Sequence, residues 1–225
     1  MHALTLRQGM GIAATVILVP YVLNQVRKPT RWVGRFFLWR MNQSHSALTD
    51  WGLEHVRIER GFTILDVGCG GGRTIQKLAE RASEGRVHGI DYSIGSVEMA
   101  RSLNREAVAS GRVDVRQASV SKLPFDDRSF DLVTAVETHY YWPDLPGDAR
   151  EVLRVLKPGG TFIAIAEAYK GSRYDLAFRI AMAPLRAKLL SVDEHRAWLE
   201  SAGFTAVRVS EERARGWLCV TGRRA

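Results

Sequence analysis

Short apolar runs alternate with amphipathic stretches along most of this chain, and that rhythm predicts its elements. Thr63-Ile64-Leu65-Asp66-Val67 is a compact apolar run bounded by glycine, the pattern of a buried strand. From Arg73 to Arg81 the period changes, and Ile75, Leu78 and Ala79 fall on one side of a polar helix. Val87 to Asp91 predicts a second strand. Ser93 follows as the N-cap of a helix running to about Ser110 and closing at Gly111. Val113 to Gln117 and Phe130 to Val136 predict strands three and four. Ala149 to Leu156 reads as a helix stopped by Lys157-Pro158-Gly159-Gly160, with Thr161 to Ala166 as strand five. Ser191-Val192-Asp193-Glu194 spells a capping box for a helix that ends at Gly203. Ala206 to Ser210 and Leu218 to Gly222 are strand-like and closely spaced, so they pair most easily as an antiparallel hairpin.

Strands alternating with helices imply right-handed crossovers and a mostly parallel sheet. The expected fold class is therefore α/β: a doubly wound, Rossmann-like sheet of seven strands with a C-terminal antiparallel hairpin. Residues 168–190 sit outside the rhythm and carry Tyr169, Tyr174, Phe178, Met182 and Leu185. They read either as an extra core helix or as a lid. The lid is favoured because the segment leaves the strand end where ligands bind in such sheets.

The apolar pattern changes character before residue 60. Gly9 to Leu23 is almost uncharged, but it is shorter than the roughly 20 residues a membrane span needs, and it contains Pro20. Arg7 precedes it, as in a signal peptide, yet no small-residue cleavage site follows closely. Arg27, Lys28, Arg31, Arg35 and Arg40 come next, interleaved with Trp32, Phe36, Phe37 and Trp39. That mixture suggests membrane-surface association through residues 9–40, as an interfacial anchor on the cytoplasmic face. A helix packed on the domain or over its active site fits the pattern equally well, and a chain start at Met10 or later is a third reading. The organisation expected is an N-terminal apolar and basic segment with cap helices over 1–59, then one domain over 60–225.

Composition narrows the picture. A chain of 225 residues with 46% hydrophobic content fits one well-buried domain plus an appendage, and 25% charged residues exclude wholesale disorder. The formal net charge is +8, and residues 1–60 hold eight Lys/Arg against three Asp/Glu. The basic excess thus sits largely before the core. The two cysteines, Cys69 and Cys219, form no C-x-x-C pair and no His-rich cluster. No structural zinc or other metal and no disulfide framework is expected, and a cytoplasmic, reducing compartment is the default.

The chemistry centres on Asp66-Val67-Gly68-Cys69-Gly70-Gly71-Gly72, a glycine-rich turn between a predicted strand and a predicted helix. Glycines let the chain turn sharply and let a ligand approach the backbone, and the following helix offers its positive end. Dinucleotide enzymes use G-x-G-x-x-G/A there. Here Arg73 replaces the last small residue, which counts against a nicotinamide cofactor.

Four segments in order carry a more specific resemblance: ILDVGCGGG from Ile64, HGIDYS from His88, LPFDDRSFDLV from Leu123 and EVLRVLKPGG from Glu151. Together they resemble the motifs of class I S-adenosylmethionine (SAM)-dependent methyltransferases over about residues 60–168. The nearest flavour is the UbiE/COQ5-like, type 11 group of small-molecule enzymes.

The resemblance implies SAM as donor and S-adenosylhomocysteine as product. Asp66 would meet the cationic methionine end, and Gly68, Cys69 and Gly70 would line the ligand with backbone. Asp91, ending strand two, can accept both ribose hydroxyls. Tyr92 would pack on the adenine. Ser119 and Val120 stand where the family often has Asp-Ala, so the adenine amino group would meet a neutral acceptor. Glu137 would lie near the methionine moiety.

Methyl transfer from a sulfonium is an in-line displacement, which positioning can drive. A base is needed only if the acceptor must lose a proton. His139 and Tyr140 after strand four, and His45 ahead of the first motif, are the catalytic candidates. The acceptor expected is a small and lipophilic molecule, with no nucleic acid partner. Two alternatives stay open: an RNA methyltransferase, suggested by the pI of 9.9, and a SAM-fold binding protein without catalysis.

Overall fold

The computed structural model describes residues 46–225. The 9–40 segment and His45 lie outside the described residues. The described chain opens with α1 (Ser46–Leu53) and β1 (Thr63–Val67), followed by α2 (Arg73–Arg81), β2 (Arg86–Asp91), α3 (Ile94–Leu103) and α4 (Arg105–Ala109). Next come β3 (Val113–Gln117), β4 (Phe130–Val136), a 3-10 turn at His139–Tyr141 and α5 (Leu145–Val155). The chain closes with β5 (Leu156–Ala166), α6 (Asp175–Met182), α7 (Val192–Ser201), β6 (Thr205–Glu212) and β7 (Trp217–Arg223). The seven strands form one sheet in the order β3-β2-β1-β4-β5-β7-β6. β1 to β5 are parallel, and β7 runs antiparallel to both β5 and β6. This is the doubly wound sheet with a C-terminal hairpin that the pattern predicts.

Successive strand residues face opposite sides, and both sides are covered. Ile64, Leu132, Ile163 and Ile165 pack with Leu48 and Leu53 of α1, with Ile75 and Leu78 of α2 and with Val97 of α3. Leu65, Val133, Phe162 and Ala164 pack on the other side with Val152 of α5 and Trp198 and Leu199 of α7. Burial on two faces is why the central strands read as near-continuous apolar runs rather than alternating ones.

Three elements differ from the pattern. The helix expected from Ser93 to Ser110 breaks at Asn104, whose side-chain amide donates to Gly72 O (3.0 Å) and Ala100 O (2.9 Å). α5 begins at Leu145 rather than Ala149, because Pro146 sits in its first turn, where no backbone donor is lost to the helix. Asp148 accepts from Asp144 N at 3.0 Å and closes that end. The helix does stop just ahead of Lys157, at Val155, but Lys157 to Gly160 already belong to β5 as a bulge: Phe130 pairs with Leu156, while Leu132 pairs with Thr161.

The capping box of α7 forms as spelled, with Ser191 Oγ accepting from Glu194 N and Glu194 Oε2 accepting from Ser191 N. Within 168–190, α6 buries none of its residues. It rests through Phe178 and Met182 on a small cluster of Tyr140, Ala166, Ala168 and Leu189. No helix among the described residues is long and apolar enough to cross a membrane.

Candidate functional site

The chain leaves β1 toward β2 on one side, while β4 lies on the other. This reversal opens a crevice at the carboxyl ends of the strands. The turn after β1 fills its floor. Gly68, Gly70 and Gly72 all have positive φ (75°, 51° and 84°). At Gly68 a Cβ would collide with Thr138 Oγ1, and at Gly72 it would lie 2.7 Å from Ala100 Cα. The first glycine thus admits Thr138 beside the turn, and the third lets α3 approach it.

Backbone donors tie the turn to the end of β2. Gly68 N and Cys69 N both donate to Ile90 O, at 2.8 and 2.9 Å. Gly70 N donates to Asp91 Oδ2 at 3.0 Å, and Ser93 N donates to Asp91 Oδ1 at 2.8 Å. Burial raises the Asp91 carboxyl above its ordinary value, against hydrogen bonds from Ser93, Gly70 and Ser96. Each of its oxygens retains accepting capacity beyond the bond it holds.

Asp66 is the second buried carboxylate. Thr134 Oγ1 donates to its Oδ1 at 2.7 Å, while its Oδ2 is buried with no partner among the described residues. Burial pushes this carboxyl up to about 7, opposed by the Thr134 bond and reinforced by the charge of Asp91. An acceptor aligned on one oxygen and unsatisfied on the other suits a cationic donor. Cys69 lies between the two carboxylates in sequence. Its thiol is buried, and burial together with both charges holds its pKa well above normal, so it stays protonated.

The end of β4 is built differently. Glu137 adopts a positive φ of 56°, a strained conformation for a residue with a side chain. Its carboxylate accepts from Tyr140 OH at 2.7 Å and from Glu167 N at 2.6 Å, and its own N–H donates to Ile165 O. One side chain thereby joins the ends of β4 and β5.

The methyltransferase domain family matches residues 65–164, the stretch that holds the glycine turn, both buried carboxylates and Glu137. Sterol 24-C-methyltransferase ERG6 from Saccharomyces cerevisiae is 33% identical over 165 residues, 70% of this chain and 42% of that one. The O-methyltransferase rstn1 from Aspergillus nomiae is 30% identical over 169 residues, 71% of this chain and 72% of its own length. The chain belongs to the class I SAM-dependent methyltransferases. Among solved structures, the geranyl diphosphate C-methyltransferase from Streptomyces coelicolor, in complex with Mg2+, geranyl-S-thiolodiphosphate and S-adenosyl-L-homocysteine, shares the fold. Its TM-score is 0.69 at 17% identity, covering 80% of this chain and 76% of that one. This methyltransferase spans less than half the length of the yeast relative.

SAM is the donor of this family, and the residues present fit it. The unpartnered Asp66 Oδ2 suits an ammonium or a bridging water. Asp91 suits vicinal hydroxyls, and the positive-φ glycines leave backbone rather than side chain against the ligand. Ala118 N donates to Asp91 O at 3.0 Å, so Ser119 and Val120 sit beside the same strand end. Tyr92 is exposed at this rim. Ser119 is exposed too, and its Oγ accepts from Ser121 N, whereas Val120 is buried in the core.

The two described catalytic candidates lie deeper. Tyr140 OH is committed to Glu137, and burial raises its pKa well above normal, so it serves as a donor. His139 is buried, stacks on Trp198 and places its Nε2 3.0 Å from Nε2 of His195. His195 Nδ1 lies 2.7 Å from Ser191 O, which can only accept, so this nitrogen carries the proton. His195 Nε2 is then a lone pair and His139 Nε2 its donor. That leaves His139 Nδ1 as a buried lone pair with no partner among the described residues. Burial holds both rings neutral, with His195 lowered to about 4 and His139 well below its usual range.

His195 and Asn104, with Thr134, Thr138 and Glu167, are residues that sequence reasoning missed. His195 could have been suspected only as an unusual polar residue on the inner face of α7. Nothing local marks Asn104.

Proposed function

We propose that this chain transfers the methyl group of SAM to a small, lipophilic acceptor. The observation that carries the reading is the pair of buried carboxylates, Asp66 and Asp91, flanking a turn of three positive-φ glycines. When bound, SAM supplies a methyl group already activated on a sulfonium. The protein's share is then chiefly placement. Asp91 orients the donor through the ribose, and Asp66 holds its cationic end. Tyr92 and Ser119 border the adenine, and Val120 backs that rim from the core. Gly68, Cys69 and Gly70 present backbone to the ligand. Glu137, fixed by Tyr140 and Glu167, shapes the boundary between donor and acceptor.

On the acceptor side the surroundings are Tyr140, Tyr141, Phe178, Met182 and Leu189. We read residues 168–190 as the lid over this surface, which favours an apolar acceptor. The sterol 24-C-methyltransferase relative and the geranyl diphosphate C-methyltransferase that shares the fold support the same class. His139 is the candidate proton acceptor, because its tautomer leaves the Nδ1 lone pair without a partner among the described residues. The test is SAM consumption against fractionated cell extract. Turnover is expected in the lipid fraction, and methylation of polar metabolites alone would overturn the acceptor class.

A further inference from the structure

The helix of the proposed lid is amphipathic in an unusual sense, because its apolar side faces outward. Leu176 and Ile180 are 70% and 67% exposed and stand one turn apart on the same face. Ala177 and Ala181, also exposed, widen the strip. The opposite side anchors the helix: Phe178 and Met182 pack on the cluster around Tyr140, and Tyr141 OH lies 3.6 Å from Met182 Sδ.

The rim of the strip is cationic. Residues 170–188 hold five Lys/Arg and one acidic residue, Asp175. Arg179 and Arg186 are exposed, and neither forms an ion pair with any described residue. Arg186 closes the 3-10 turn Ala183–Leu185 that follows the helix, in a left-handed conformation (φ 52°).

Three occupants could cover such a face, and charge separates them. A second copy related by symmetry would bring this cationic rim against itself. Residues 1–45 of the same chain hold six Lys/Arg and no Asp/Glu, so their basic stretch from Arg27 to Arg40 would meet this rim with like charge and offers the arginines no partner. An anionic bilayer surface offers what both lack: negative headgroups for the arginines and an acyl boundary for Leu176 and Ile180.

We propose that α6 docks on an anionic lipid surface through Leu176 and Ile180, with Arg179 and Arg186 at the headgroups. A lid docked this way would face the acceptor cluster with its inner side and the bilayer with its outer side. The purpose rests on the proposed lipophilic acceptor, although the docking itself does not.

The test uses the full chain with an environment-sensitive fluorophore at Leu176→Cys or Ile180→Cys, since Cys69 and Cys219 are both buried. Phosphatidylcholine vesicles with and without phosphatidylglycerol are added. A blue shift at both positions is expected with the anionic vesicles only, reversed by high salt. Arg179→Gln with Arg186→Gln should weaken vesicle affinity by about tenfold or more. Three results would overturn the proposal. The first is no shift at either position. The second is a shift already present without vesicles, as intramolecular cover would give. The third is a vesicle-independent shift that grows with protein concentration, as a second copy would give. SAM affinity and methyl transfer to a detergent-dispersed lipid fraction are measured on the same samples. Docking can then fail while turnover survives, and turnover can fail while docking survives.

Discussion

The two halves of the crevice are built by different rules. The half we assign to the donor is backbone: three positive-φ glycines, four N–H groups aimed at the end of β2, and two carboxylates at strand ends. The half we assign to the acceptor is side chains brought from far apart, pairing His139 with His195, Glu137 with Tyr140 and the Glu167 backbone, and Tyr141 with Met182. A universal cofactor can be held by geometry that a short stretch of sequence writes once. A particular acceptor needs contacts that only the folded chain assembles, and those are free to differ among relatives.

This contrast predicts where each half breaks. The largest effect belongs to the donor half. Gly68→Ala places a Cβ into Thr138 at a positive φ, and Asp91→Ala removes the ribose acceptor. Each should reduce SAM affinity about a hundredfold or more, the first by displacing the turn and the second by losing charge-assisted hydrogen bonds of about 1.5–3 kcal/mol each. Calorimetry reads the loss, and circular dichroism confirms that the variant folds.

His195→Ala should act on the other half alone. It leaves the His139 Nε2–H buried without an acceptor, costing roughly 1–3 kcal/mol of stability in chemical denaturation. SAM affinity should stay near wild type. A parallel loss of SAM binding would mean that the halves are not separable.

The halves should also respond oppositely to pH. The Asp66 carboxyl rises from 3.8 to about 7 on folding, so the folded state binds more protons than the unfolded chain between those values. Its contribution to stability therefore falls as pH increases from about 4 to 7. His195 drops from 6.5 to about 4 on folding, so its contribution falls as pH decreases across that window. Asp66→Asn should stabilise the ligand-free protein above pH 7 while weakening SAM binding. Wild-type SAM affinity should increase with pH toward 7, as the cationic end of the ligand selects the ionised carboxylate. Denaturation and calorimetry across pH test both signs.

The smallest effect is expected at the outer face of α6. Leu176→Asp should change stability by no more than about 0.5 kcal/mol, since the side chain is exposed. Thermal denaturation checks this.

The same contrast explains what the sequence made legible. β1, the glycine turn and β3 and β4 fall where the pattern puts them, because each is coded within a few consecutive residues. The capping box of α7 is equally local. Asn104 interrupts the predicted helix through a bond to Gly72 O, thirty-two positions away. Pro146-Gly147 looks like a breaker but opens α5, since the first turn of a helix tolerates proline. The bulge at Lys157 to Gly160 depends on pairing with β4. Asp66, Asp91 and the glycines stand out in the sequence itself, whereas His195 became visible only once α7 was docked.

The central claim is that Asp66 to Gly72, closed by Asp91, forms the donor site. Calorimetric titration of SAM into the wild-type chain and Asp91→Ala tests it most directly. Binding is expected in the first, and about a hundredfold weakening in the second. Equal affinity in the two, with both folded, would contradict it.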